Sequence, residues 1–171
     1  MALRDVFRFP NPVNEVSARL VAGGVAVVAW VTLATGWPYL LPALAYGFLA
    51  RVASGPTLSP WGQTVTRLLV PRLPFRAKLI PGPPKRFAQA MGAAFTVPAA
   101  LLWFVADQHL AALVLVGLVG VAATLESVFA FCLGCQVFNV LMRLGLIPAS
   151  VCESCNNLTL ARSRSRAATS S

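Results

Sequence analysis

The chain has 171 residues, 57% of them hydrophobic and 11% charged, with a mean hydropathy of +0.73 and a formal net charge of +9. A soluble domain carries about 45–50% apolar and about 25% charged residues. The composition therefore excludes a disordered chain, a nucleic-acid-binding domain with a charged surface, and a soluble enzyme of this size. The basic residues lie in clusters separated by long uncharged stretches, which fits membrane orientation rather than nucleic-acid affinity.

Residues 1–17 read as a cytoplasmic N-terminal segment, and residues 18–53 as a transmembrane helical hairpin. A span needs about 20 mostly apolar residues. The first candidate runs from Ala18 to Gly36, and the second from Trp37 to Ala53, with Thr35-Gly36-Trp37-Pro38 as the turn between them. The segment before the first span is long and mixed in charge, with Asp5 and Glu15, and a second apolar stretch follows at once. Neither suits a cleaved signal peptide.

Residues 54–86 form a basic, Pro-rich cytoplasmic loop. Ser59-Pro60 is a helix start, a Ser cap followed by Pro at the first helical position. Trp61, Val65, Leu68 and Leu69 then fall at helical spacing, predicting a short interfacial helix. A second transmembrane hairpin follows over 87–144. Its first span is Phe87 to Ala106, with Pro98 as a kink, and Asp107 suits the N-cap of the next helix. That helix starts near Gln108 and can continue to about Leu144, with Gly145 as its C-cap and Pro148 as a stop. Residues 145–160 form a cytoplasmic segment with a CxxC pair, and residues 161–171 a disordered tail. The expected fold is thus all-α, an integral membrane protein with four transmembrane helices.

All 14 basic residues precede or open the first span, lie from the end of the second to the start of the third, or lie at or after the end of the fourth. By the positive-inside rule both termini and the central loop are cytoplasmic, placing the chain in the cell (inner) membrane as a multi-pass protein. The lipid bilayer is its one assured partner.

The least accidental feature is the pair of motifs Cys132-Leu133-Gly134-Cys135 and Cys152-Glu153-Ser154-Cys155. With 16 residues between them they fit the template C-x2-C-x15–20-C-x2-C of a zinc site. Four thiolates make a tetrahedral structural shell. The cytoplasmic side is reducing and disfavours permanent disulfides, so three readings stay open: a structural zinc ion held by all four cysteines, thiol–disulfide or persulfide chemistry with a soluble partner, or ordinary buried thiols. A redox thiol needs a lowered pKa, which a helix N-terminus supplies. If the fourth helix runs on to Leu144, Cys132 and Cys135 lie toward its C-terminus, where the dipole disfavours a thiolate. Ser150 could cap a short helix with Cys152 in its first turn, which makes Cys152 the better nucleophile on this reading.

Glu126 is the one acidic residue well inside an apolar run. The expected arrangement is an ion pair with Arg19 or Arg51 at the same depth. On a continuous helix, positions 126 and 132 lie about 120° apart, so Glu126 is no obvious partner for Cys132. The single histidine, His109, sits on the opposite turn and is expected to be solvated.

Phe9-Pro10-Asn11-Pro12-Val13-Asn14, Lys85-Arg86-Phe87-Ala88-Gln89-Ala90 and the two CxxC pairs occur in that order. In these motifs the chain resembles a bacterial, especially actinobacterial, membrane family, domain of unknown function 4395, from about Phe7 to Leu158. The resemblance implies an inner-membrane protein with no established activity and no catalytic residue to carry over. It also implies proximity to thioredoxin-like and sulfurtransferase-like proteins, which favours thiol or sulfur chemistry. The resulting expectation is a cytoplasm-facing dithiol relay or accessory in thiol and sulfur metabolism, with the structural zinc protein as the alternative.

Overall fold

The computed structural model describes residues 11–72, 79–148 and 151. Helix α1 spans Glu15–Thr35 and α2 spans Leu40–Ser54. Helix α3, Pro60–Thr64, runs on through a π-helical turn over Val65–Leu69 and a 3-10 turn over Val70–Arg72. Helix α4 covers Gly82–Phe104, α5 His109–Phe129 and α6 Leu133–Arg143. Two short strands, β1 (Val13–Asn14) and β2 (Leu79–Ile80), pair antiparallel and tie the N-terminal segment to the end of the central loop.

The helix ends follow local chemistry. The Asn14 side chain accepts a hydrogen bond from the Val16 amide at 3.0 Å and so caps α1, and Gly36 closes that helix in the left-handed region at φ 65°. Ser59 caps α3 through the Gly62 amide, with Pro60 at the first position, as its sequence predicts. At the end of α6, Gly145 takes φ 76° and donates to the Met142 carbonyl, while Leu146 donates to that of Leu141. This is the Schellman pattern.

Three helices, α1, α4 and α5, are long and apolar enough to cross a membrane. Their outward faces carry bare aliphatic side chains, such as Val27 at 63% and Leu110 at 77% exposure. Water would penalise such a surface, whereas lipid would not. The fourth expected span is shorter. Helix α2 has 15 residues, about 22 Å at 1.5 Å per residue against a hydrocarbon core of about 30 Å. It starts only at Leu40, after the Gly36 turn, and Gly55-Pro56 stops it.

Spatial pairing departs from chain order. Helix α1 packs chiefly on α5 and α2 chiefly on α4, while α4 also contacts α5 and α6. Small residues allow the close approach. A Cβ on Gly120 would lie 3.3 Å from that of Ala29, and Ala29, Ala99 and Ala112 are fully buried. The buried hydroxyls of Thr32 and Thr96 return hydrogen bonds to the carbonyls of Val28 and Gly92, each at 2.8 Å, so neither is left without a partner in the apolar layer. Between α1 and α5, the Trp30 indole donates to Thr124 at 3.0 Å.

Two boundaries correct the sequence reading. Asp107 is not the cap of α5: it takes the left-handed conformation at φ 55°, Gln108 holds the cap position, and the Asp107 carboxylate pairs with His109 at 3.2 Å. Helix α4 begins at Gly82 rather than Phe87, because Pro83 and Pro84 occupy its first turn, where no amide partner is needed. The expected short helix at Ser150, the segment containing Cys152 and Cys155, and the disordered tail lie outside the described residues.

Candidate functional site

The fourth apolar helix does not continue to Leu144. It ends at Phe129, and Ala130 turns the chain in the left-handed region at φ 56°. No glycine or proline marks this break, so hydropathy alone carries it through. Beyond it Cys132 has extended backbone, φ −90° and ψ 105°, and its carbonyl accepts the first hydrogen bond of α6 from the Gln136 amide at 3.1 Å. Cys132 is therefore the N-cap of α6 and Cys135 its third residue. The expectation that this pair sits at a helix C-terminus is overturned, because the break at Ala130 places it at an N-terminus, where the dipole favours a thiolate.

Cys132 is buried and Cys135 half-buried, both as free thiols beyond the end of the α5 span. The hydrogen bond offered by the Cys135 thiol holds the Cys132 thiol below its usual range, and the nearby Lys85 ammonium acts in the same direction. Burial and the Glu126 carboxylate oppose this without reversing it. Cys135, which supplies that proton, is pushed up by the same hydrogen bond, by burial and by the adjacent charge on Cys132. The two thiols of the pair therefore differ, the first lowered and the second raised.

Gly134 explains how α6 reaches this position. A Cβ there would lie 2.5 Å from the Ala88 Cα, so the second helical residue of α6 must lack a side chain to lie against α4. Phe87 and Phe138 continue the contact with ring centroids 5.6 Å apart.

Behind Cys132 the adjoining ends of the helices carry a polar cluster. Lys85 in the first turn of α4 forms a buried ion pair with Glu126 of α5. Arg51 in the last turn of α2 is buried, donates from Nε to Gln89 Oε1 at 2.7 Å, and lies 4.7 Å from the Phe48 ring centroid. The expected Glu126 pairing is thereby revised. Lys85 is the direct partner, and Arg51 acts on Glu126 electrostatically. Arg19 turns to the C-terminal carbonyls of α5, donating to Ser127 and Val128 at 3.0 Å each, where a cation complements the helix dipole.

Lys85 was missed as a site residue because the sequence reading left residues 82–86 in the loop, and Gln89 because it was counted only as part of the apolar span from Phe87. The signal was Pro83-Pro84, which starts a helix more than a turn earlier. The break at Ala130 also removes the separation by helical phase, and Glu126 and Cys132 line one cavity of about 240 Å³ together with Arg51 and Gln89.

Two thiolates supply half of a tetrahedral zinc shell. Among the described residues no group of three or more His, Cys, Asp or Glu converges. The other half of the expected zinc set, Cys152 and Cys155, lies outside the described residues.

No curated protein and no solved structure matches the chain. Residues 13–143 match the family described as a domain of unknown function, DUF4395. The matched region contains Cys132 and Cys135 and stops short of Cys152 and Cys155. With most of its length inside that match, and with three helices able to cross a membrane, the chain belongs to the DUF4395 family.

Proposed function

We propose that the protein is a membrane-embedded dithiol relay in which Cys132 attacks and Cys135 resolves. The observation that carries this reading is the placement of Cys132 at the N-cap of α6 with Cys135 one turn on, beside the Lys85–Glu126 pair. In the forward step the Cys132 thiolate attacks a disulfide, forming one S–S bond to the substrate and releasing the other half as a thiolate. The Cys135 sulfur then attacks Cys132 and expels the second half, so the substrate gains two electrons and the protein keeps an intramolecular disulfide. A soluble dithiol protein of thioredoxin-like or sulfurtransferase-like type returns the pair to the reduced state by the reverse exchange.

The arrangement of basic residues favours both termini and the central loop on the cytoplasmic side, with α2 completing four spans. On that topology the dithiol opens toward the cytoplasm.

Alkylation mapped on the reduced, detergent-purified chain tests the reading. Cys132 is expected to react with a half-maximal pH below the ordinary thiol value of about 8.5, and Cys135 well above it. Cys135→Ser is expected to accumulate a mixed disulfide on Cys132 with glutathione disulfide, and Cys132→Ser to accumulate none. Equal, ordinary reactivity of both thiols with no trapped species overturns the relay. Stoichiometric zinc that disappears when either CxxC pair is changed to Ser replaces it with the structural metal site.

A further inference from the structure

The cavity behind Cys132 has a composition the relay alone does not require. It lies between α1, α2, α4, α5 and the start of α6, toward one end of helices long enough to cross a membrane. Most of its wall is apolar, with Val25, Phe48, Phe95 and Leu118 among the lining side chains. Polar groups gather where the thiol is: Arg51, Gln89, Glu126 and Cys132. Glu126 is committed to Lys85. Gln89 accepts from Arg51 through its oxygen, which leaves its amide nitrogen as a donor. The polar end therefore offers hydrogen-bond donors, an Arg and an amide, next to a nucleophilic sulfur.

Such a site suits a flat, uncharged ring with carbonyl oxygens that arrives through lipid. A dry cavity of about 150 Å³ holds benzene, so the 240 Å³ here accommodates a substituted six-membered ring. A charged group entering this cavity would instead have to desolvate against apolar side chains, so the cavity itself suits the ring, whichever disulfide is exchanged at the thiols.

We propose that this cavity binds the ring of a quinone and that the Cys132–Cys135 dithiol reduces it. The inference rests on the dithiol reading and names the acceptor for the same site. The Cys132 thiolate adds to a ring carbon, forming a C–S bond and moving an electron pair toward a carbonyl oxygen. The Cys135 sulfur then attacks Cys132; the S–S bond forms, the C–S bond breaks, and that electron pair passes to the ring. The protein loses two electrons and the two thiol protons. The ring gains the same electrons and protons as a hydroquinone. Arg51 and Gln89 position the carbonyl oxygens on which charge develops.

The test uses the full chain in lipid nanodiscs, reduced and freed of reductant without oxygen, with decyl-ubiquinone as the probe. Saturable loss of quinone absorbance is expected, with two thiols consumed per quinone, and Cys132→Ser abolishes it. Ala122→Phe, which fills the cavity from α5, is expected to slow the reaction at least ten-fold, with Cys132 alkylation in the same sample reporting whether the site still folds. Gln89→Leu, a milder change, is expected to raise the half-saturating quinone concentration about ten-fold. If the chain exchanges with glutathione disulfide yet reduces no quinone, the quinone inference falls and the relay stands. If neither reaction occurs, both fall. Quinone reduction that is unaffected by both Gln89→Leu and a folded Ala122→Phe places the reaction outside the cavity and also overturns the inference.

Discussion

Lys85 and Glu126 form a buried ion pair near Cys132, and their charges pull its thiol in opposite directions. Lys85→Met leaves a carboxylate buried without its partner, a change that costs about 3–5 kcal/mol. It also removes a positive charge that favours the thiolate, so the half-maximal pH for Cys132 alkylation is expected to rise. Glu126→Gln removes the opposing charge, and the same midpoint is expected to fall. A denaturant titration of Lys85→Met/Glu126→Leu should recover most of the lost stability, since two apolar side chains can replace the pair, while the midpoint returns toward that of an isolated CxxC. Linkage gives the sign of the stability change. A thiol whose folded pKa is lowered stabilises the fold above its unfolded value and loses that contribution as pH falls through the folded one. Part of this cluster was legible: Glu126 stands alone in an apolar run and needed a cation. Which cation it takes was not legible, because Arg19 and Arg51 lie at a similar depth and Lys85 enters only once α4 is extended back to Gly82.

Helix α6 is the element on which the proposed relay depends, and its start depends on Gly134. At Gly134 an added methyl meets the Ala88 backbone at 2.5 Å. Backbone cannot swing aside, so Gly134→Ala is expected to push α6 off α4, lower stability by about 1–3 kcal/mol, and return the Cys132 alkylation midpoint toward that of a free thiol. Gly24→Ala provides the contrast. Its methyl meets the Trp61 indole, but that indole is the outer end of a side chain that is 41% exposed, so the ring can move and both stability and thiol reactivity should change less. Ser59→Ala removes the cap of α3 and is expected to cost about 1 kcal/mol with the thiols unaffected. The start of α3 was readable because Ser-Pro encodes it locally, as Gly145 encodes the end of α6. The start of α6 was not. Ala130 adopts a conformation its side chain does not favour, closed by hydrogen bonds that its own amide and that of Phe131 donate to the Leu125 carbonyl, and no residue type in the local sequence signals the turn.

At the scale of the whole molecule, the apolar composition identified the membrane helices because lipid imposes a length and a hydropathy that few other environments do. It did not identify their partners. An apolar helix is compatible with many neighbours, and the close approaches through Gly120 and Gly92 depend on small residues whose faces are set only when the bundle closes. The proposed topology is checked with alkaline phosphatase fusions, which are active only outside the cytoplasm: activity is expected after residues 36 and 107, and none after residue 72 or at the C-terminus. The opposite pattern would reverse the orientation. The pairing of α1 with α5 and α2 with α4 also sets an order for biosynthesis. Arg51, Lys85 and Gln89 all emerge from the ribosome before Cys132, and α1 must wait for α5 before its packing face is covered. A chain stalled before Phe129 has no dithiol, and one released before α6 forms has thiols without that helix N-terminus beside them. On the proposed relay, completion of the bundle and the lowering of the Cys132 thiol thus coincide, so an unfinished chain carries at most ordinary thiols.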